Sequence, residues 1–260
     1  MVRGAERGRA AHRGPDAHVR QHHVPDQHGR RTAPGARAVE HGRRAAGHAE
    51  SRGRHGHLRH DHRWLRQLFG DPAHAELLAG AESSGPGARG LLMLPYFAGE
   101  RTPVADPDAR GVIAGLTVEH TRGDLYRAAL EATALGVRHN VGAMRAAGAD
   151  IRRVVAVGGG TRGGLWTRIV SDVTGLAQEV RAVTVGASYG AAFLAAGAVG
   201  DPDIGVWNPV RARVEPDPGL RTAYDELYGL YLDLYPATRD IGHALARRRR
   251  AASGPPGPRD

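Results

Sequence analysis

The chain has no cysteine and no lysine among its 260 residues. The first absence excludes a disulfide framework, thiol nucleophiles and cysteine-ligated metal centres. The second leaves arginine as the only strong base, a usage that fits a GC-rich source. Nowhere do 18 apolar residues follow one another, so no membrane-spanning helix is expected. The N-terminus carries no apolar signal-peptide core. A soluble cytoplasmic protein, of one large or two small domains, is the expectation.

The net charge of +9 suggests nucleic acid until its distribution is read. Residues 1–62 hold 13 arginines against 6 acidic residues, and Arg247 to Arg250 form a second basic run. Between them, residues 63–246 carry 18 arginines against 20 acidic residues. The basicity belongs to the ends, whereas a nucleic-acid-binding fold is expected to carry it on its core.

Residues 1–62 do not read as a domain. They hold 11 of the 15 histidines, a single leucine (Leu58), and no Ile, Phe, Tyr or Trp. Such a segment buries too little apolar surface to offset chain entropy. Its histidine pairs, His22-His23 and His55/His57, lack a scaffold that would fix ligand geometry, so no metal site is assigned. The segment is either a disordered tail or a GC-rich gene read out of frame. The abrupt change of texture at His62 favours the frame error.

From Arg63 onward the chain has ordinary protein texture. Trp64, Leu65, Leu68 and Phe69 fall at helical spacing, and Asp71-Pro72 opens a second helix carrying Leu77 and Leu78. Residues 83–87 are a loop, and Leu91 to Leu94 a buried strand. A polar loop follows, with Glu100, Arg101, Asp106, Asp108 and Arg110, and then a short strand from Gly111 to Leu116. Thr121 to Ala147 is the longest helix, with Thr121 and Asp124 placed as a capping box and Gly148 as its stop.

Val154 to Val173 reads as strand, glycine turn and helix, with the turn at Gly158-Gly159-Gly160-Thr161 and the helix running from Arg162. Glycine lets a ligand approach bare backbone, and a helix N-terminus behind it offers N–H groups to an anion. Gln178 to Val183 is a further strand. Gly186 to Gly197 is a helix of small residues, suited to close packing. An amphipathic helix follows Asp217-Pro218, with Leu220, Tyr224, Leu227, Tyr231 and Leu234 on one stripe. The basic tail, residues 247–260, is expected to be flexible. Alternating strand and helix argue for an α/β layered domain. The residues alone support a nucleotide- or phosphate-binding turn.

A resemblance sharpens this. The segment Leu94-Pro95-Tyr96-Phe97-Ala98-Gly99-Glu100-Arg101-Thr102-Pro103, closing on Asp106-Pro107-Asp108-Ala109-Arg110-Gly111, is similar to a hallmark of the FGGY carbohydrate kinases. So is the run from Gly111 to Leu116 with Asp124-Leu125 and Ala128 to Glu131. Gly158, Gly159, Gly160, Thr161, Gly163 and Trp166 resemble that family's adenosine-binding motif. Gly186-Ala187 and Gly190-Ala191-Ala192 resemble the helix that closes its nucleotide site. The texture is closest to the xylulokinase branch.

The resemblance implies an actin-like (ribonuclease H-like) ATPase fold, the C-terminal half of a sugar kinase, over residues 63–246. It also implies ATP and Mg²⁺ as cofactors and a ketose or polyol as acceptor. Thr161, Gly163 and Arg168 depart from the Ala, Ser and Gln usual in the family, and a Trp expected near Ala105 is absent. The family's catalytic aspartate lies upstream of the segment resembling Arg63-Trp64-Leu65. No Asp in residues 1–62 has the glycine-rich setting it needs, and Asp106 and Asp172 are the acids nearest the family motifs. The expected function is a carbohydrate kinase fragment. The alternatives are a non-catalytic nucleotide-binding module with a separate N-terminal half, and a basic nucleic-acid-binding protein. A homodimer is a further expected partner state.

Overall fold

A computed structural model describes residues 55–253, with side chains from His62 onward. The expectation for residues 1–54, disorder or a frame error, lies outside the described residues. Helix α1 (His55–Leu68) runs across the change of texture at His62 and buries Leu65. Gly70 and Asp71 then take left-handed conformations, and the Asp71 N–H turns back to the Arg66 carbonyl. That turn delays α2 (His74–Ser84), which begins after the Asp71-Pro72 pair and not at it.

Strand β1 (Leu92–Leu94) is buried at every position and pairs antiparallel with β2 (Val112–Ala114). Helix α3 (Arg122–Ala146) opens on the expected capping box. Its Thr121 hydroxyl accepts from the Asp124 N–H, and the Asp124 carboxylate accepts from the Thr121 N–H at 2.7 Å. Gly148 closes it at φ 87°. Helices α2 and α3 approach so closely that a Cβ on Gly123 would lie 2.8 Å from the Gly80 carbonyl oxygen. Only glycine allows that crossing.

Strand β3 (Val154–Ala156) leads through a 3₁₀ turn, Gly159–Thr161, to α4 (Leu165–Thr174). Then come β4 (Gln178–Arg181), α5 (Gly186–Ala196), the single-turn α6 (Ile204–Trp207), β5 (Val210–Val214) and α7 (Arg221–Ser253). Strand β4 is central, parallel to β3 and antiparallel to β5.

The main core lies between α2, α3, α4, α7 and the β1 strand. Leu77, Leu94, Tyr126, Leu135, Ile169 and Val173 are among its fully buried members, with Tyr224 and Tyr231 of α7. Each such side chain contributes roughly 1.5–3 kcal/mol by leaving water. Glu131, 1% exposed, sits inside this core as a polar tie. Its Oε1 accepts from Arg127 Nε at 2.7 Å, from the Tyr224 hydroxyl at 2.9 Å and from the Gly87 N–H at 2.9 Å. One carboxylate thus joins α3, α7 and the turn after α2. Burial, then the Glu131 charge, pushes the Tyr224 hydroxyl well above its ordinary range.

Four expectations need correction. The small-residue helix α5 is not packed closely: none of its residues is buried, Tyr189 and Phe193 meet the Trp207 ring, and Gly186 lies near Val157. The helix after the glycine turn starts at Leu165, not Arg162, because Gly163 and Gly164 take φ of 102° and 76°. Val210–Val214, which was not expected as a strand, pairs with β4. Finally, of the tail expected to be flexible over residues 247–260, residues 247–253 are helical, and residues 254–260 lie outside the described residues. Helix α7 continues through Pro236 to Ser253, and Arg250 pairs with Asp108.

Candidate functional site

Two parallel strands, β3 and β4, end side by side, with Gly158 two residues after β3 and Gly186 five residues after β4. The Gly158 N–H donates to the Thr184 carbonyl at 2.7 Å, which clips the turn after β3 to the segment after β4. Gly186, the first residue of α5, lies against Val157. The N-terminus of α5 therefore lies beside the glycine turn. Clefts at the carboxyl ends of parallel strands are where open α/β sheets take their ligands.

The turn is held from below. Gly158 needs φ 90°, a conformation in which other residues are strained. The Thr161 hydroxyl donates to the Gly158 carbonyl at 2.7 Å, and the Arg162 N–H donates to the Gly159 carbonyl at 3.1 Å. Trp166 underlies the turn: a Cβ on Gly160 would come within 3.0 Å of the indole ring. The indole N–H is committed to the Thr133 hydroxyl of α3 at 3.1 Å. Trp166 thus positions the turn from the core side, and Gly163 rests near Leu78 of α2.

Above the turn there is space. A Cβ on Gly158, Gly159 or Gly190 would meet nothing within 4 Å, and one on Gly186 only Val157. Each of these glycines thus presents open, bare backbone, here termed the shelf. Asn208, missed in the sequence, fixes the far rim. Its side chain donates to the Val183 carbonyl at 2.9 Å and accepts the Val183 N–H at 2.8 Å. The Asn208-Pro209 pair after a short helix was its only sequence signal.

The acids nearest the family motifs are engaged elsewhere. Asp172 Oδ1 accepts the Asp217 N–H at 2.8 Å, in the last turn of α4 and away from the glycines that precede it. Burial raises its carboxyl pKa. Asp106 Oδ2 accepts from the Tyr235 hydroxyl and from His243 Nε2, both at 2.6 Å. It binds the loop between β1 and β2 to α7. Burial opposes ionisation of Asp106, but these bonds and the Asp108 N–H outweigh it and lower its pKa. Among the described residues no cluster of three or more His, Asp or Glu could hold a metal ion. A cavity of about 180 Å³ lies at the opposite end of the sheet, lined by Arg152, Arg153, Glu179 and Arg213. These arginines pair with Asp150, Glu179 and Glu215, so it is a salt-bridged surface away from the glycine turn.

With this geometry described, comparison with known proteins is direct. The profile of the FGGY family of carbohydrate kinases, C-terminal domain, matches residues 7–199. The match thus begins inside the basic N-terminal segment. The xylulose kinase of Staphylococcus epidermidis is 32% identical over 184 residues, covering 68% of this chain and 37% of that protein. The xylulose kinase of Bacillus subtilis is 30% identical over 193 residues, covering 72% of this chain and 39% of that protein. The crystal structure of xylulose kinase from Rhodospirillum rubrum superposes with a TM-score of 0.63 at 36% identity, over 70% of this chain and 38% of that one. The matched part spans less than two fifths of these relatives' own length. Among the described residues no helix is long and apolar enough to cross a membrane. The architecture is the α/β, actin-like ATPase fold of a sugar kinase's C-terminal half, and the chain belongs to the FGGY family of carbohydrate kinases.

Proposed function

We propose that this chain is the nucleotide-binding half of an ATP-dependent carbohydrate kinase acting on a ketose or polyol, with xylulose as the first candidate. The observation that supports this most is the meeting of Gly158–Gly160 with the N-terminus of α5 at the ends of two parallel strands. Gly158, Gly159 and Gly160 offer backbone to the nucleotide. Thr161 staples the turn, Gly163 permits its exit, and Trp166 holds it against α3. Mg²⁺ would travel on the nucleotide's phosphates, as it usually keeps several waters and takes few protein ligands. Residues 63–246 form the working domain, in the cytoplasm and without nucleic acid.

Phosphoryl transfer needs a base to accept the hydroxyl proton. With Asp106 and Asp172 engaged, that base is expected from the N-terminal half of the kinase, which these residues do not include. The exposed apolar residues around the shelf, Val157, Val185 and Leu194, favour such a covering partner. The test is coupled ADP release from the purified chain, with and without D-xylulose. Nucleotide binding without sugar-dependent turnover is expected, since general-base positioning alone is worth about 10²–10⁴-fold. Sugar-dependent turnover of about 1 s⁻¹ or more, the usual kinase range, would place the base within this chain and overturn the half-enzyme assignment.

A further inference from the structure

Three threonines are buried among the described residues: Thr133 on α3, and Thr167 and Thr174 on α4. Each returns its hydroxyl proton to its own helix or to that helix's cap. Thr133 donates to the Leu130 carbonyl at 2.7 Å, Thr167 to the Gly164 carbonyl at 2.8 Å and Thr174 to the Val170 carbonyl at 2.6 Å. A hydroxyl that donates in this way still has lone pairs for a second partner. Thr174 uses them locally, on the Leu176 N–H at 3.3 Å. Of the three, Thr133 alone accepts from another element, the indole N–H of Trp166 at 3.1 Å. Its donation to Leu130 fixes the hydroxyl rotor, so that a lone pair is held toward α4.

Packing alone does not call for oxygen at this position. Leu130 and Ala134 pass into an apolar core with Ile169 and Val170, and valine would match threonine there in shape. A buried hydroxyl costs free energy unless it is bonded, so the Thr133 oxygen is explained from the Trp166 end. Trp166 is the second residue of α4. For a Cβ on Gly160, the three nearest atoms all belong to its indole, the first at 3.0 Å. The entry and exit of the turn are set otherwise, by the Gly158 N–H on the Thr184 carbonyl and by the left-handed Gly163 and Gly164. Between them Gly160 rests on the indole. At such close packing a displacement of the ring is passed to the backbone above it. Helix α5 across the turn buries none of its residues and so cannot set that height from the other side.

We infer that Thr133 is a positioning residue for the glycine turn: its hydroxyl holds the indole of Trp166, and the indole sets the height of Gly160 for a nucleotide. Thr133 itself touches no ligand. The bearing on nucleotide rests on the kinase assignment, whereas the setting of the turn does not.

Three substitutions in the full chain test it. Thr133→Val removes the hydroxyl and keeps the shape, and Thr133→Ala gives the same readouts should valine not fold. Thr133→Ser keeps the hydroxyl. Thr174→Val removes a buried hydroxyl that has no bond to the turn. Heteronuclear NMR reads the Trp166 indole N–H, assigned by its loss in Trp166→Phe, and the amides of Gly158 to Thr161. Calorimetry reads ATP affinity. In Thr133→Val the indole proton should exchange about tenfold faster or more and the turn amides should shift. ATP affinity should fall about fivefold, the scale of one hydrogen bond. Thr133→Ser should keep indole exchange and ATP affinity within about twofold of the unaltered chain. Thr174→Val should lower the unfolding midpoint and leave indole, turn and affinity as they were. Indole and turn signals that Thr133→Val leaves in place overturn the inference. So does a Thr133→Ser that behaves like Thr133→Val, because the methyl group would then be what matters. A Thr174→Val that moves the same signals equally also overturns it, since lost stability would be the cause. Shifted turn amides with unchanged ATP affinity overturn the bearing on nucleotide. An unaltered chain that binds no ATP overturns the kinase assignment instead, and the same signal changes would still support Thr133 as the residue that sets the turn.

Discussion

Helices α3 and α5 are both rich in alanine and glycine, and they meet opposite fates. Helix α3 is buried along most of its first half, and its Gly123 lies against Gly80 of α2. Helix α5 has no buried residue, and its Leu194 is 76% exposed. Small residues permit close packing but do not supply the neighbour. Helix α3 finds α2, α4 and β1 within the described chain, whereas α5 meets the Trp207 ring and the edge of Val157 and buries none of its residues. The candidate nucleotide shelf lies where these two regimes meet, anchored through Trp166 to α3 and rimmed by α5. Such an arrangement keeps the floor of a site rigid while leaving its wall to move or to be covered.

The contrast should be largest in amide exchange. Amides of α3 and α4 are expected to exchange about 10³-fold or more slowly than those of α5, because few buried contacts hold α5 in place. Equal protection would break the comparison. Next in size is Glu131→Ala, which leaves the Arg127 guanidinium buried without its partner. It should cost about 3–5 kcal/mol in denaturant unfolding, and a loss under about 1 kcal/mol would show that the network is not a structural tie.

A pH scan should sharpen the same side of the comparison. His62 packs edge-on to Tyr126, and burial, with a smaller contribution from His74, lowers its pKa to about 4. The unfolded chain takes up this proton near its ordinary value of about 6.5. The unfolded state thus binds more protons between those values, and stability falls as pH drops through that window. About 2 kcal/mol should be lost between pH 7 and pH 5, and His62→Phe should flatten the slope. Asp124 adds its own loss only lower. Burial would raise its carboxyl, but bonds from Thr121 and Ser84 and the charge of Arg89 bring it down to about 2. The smallest effects belong to the exposed side. Leu194→Ser and Gly159→Val should each change stability by no more than about 0.5 kcal/mol. Gly159→Val should nonetheless weaken ATP binding about tenfold or more if the shelf is the site, since its side chain would project into space that no protein atom fills. Unchanged affinity in calorimetry would place the nucleotide elsewhere.

Much of the helical core was legible because its signals are local. The Thr121–Asp124 capping box, the apolar stripe of α3 and the buried Leu92–Leu94 strand need only near neighbours to be recognised. The Gly158–Thr161 turn was legible for the same reason. What it joins was not, because the Thr184 carbonyl and the N-terminus of α5 arrive through strand pairing. The helical state of Arg247 to Arg250 was missed because composition reads them as solvated, while Asp108, far back in sequence, pairs with Arg250. Strand β5 shows the opposite case. Val210-Arg211-Ala212-Arg213-Val214 alternates with the period of a strand, yet its burial is too slight for an apolar signal. The engagement of Asp106 and Asp172 depends on α7 and on the chain before it, which no motif could show.

The placement of Trp166 has a spectroscopic consequence. Of the three tryptophans in the chain, it alone touches the glycine turn, while Trp64 and Trp207 are about 40% exposed on other elements. Its ring lies against Gly160 and its N–H is bound to Thr133, so its emission reports the polarity and mobility of the shelf floor. With Trp64 and Trp207 replaced by phenylalanine, the chain would carry an intrinsic optical reporter one residue beneath the place where an adenine nucleotide is proposed to rest.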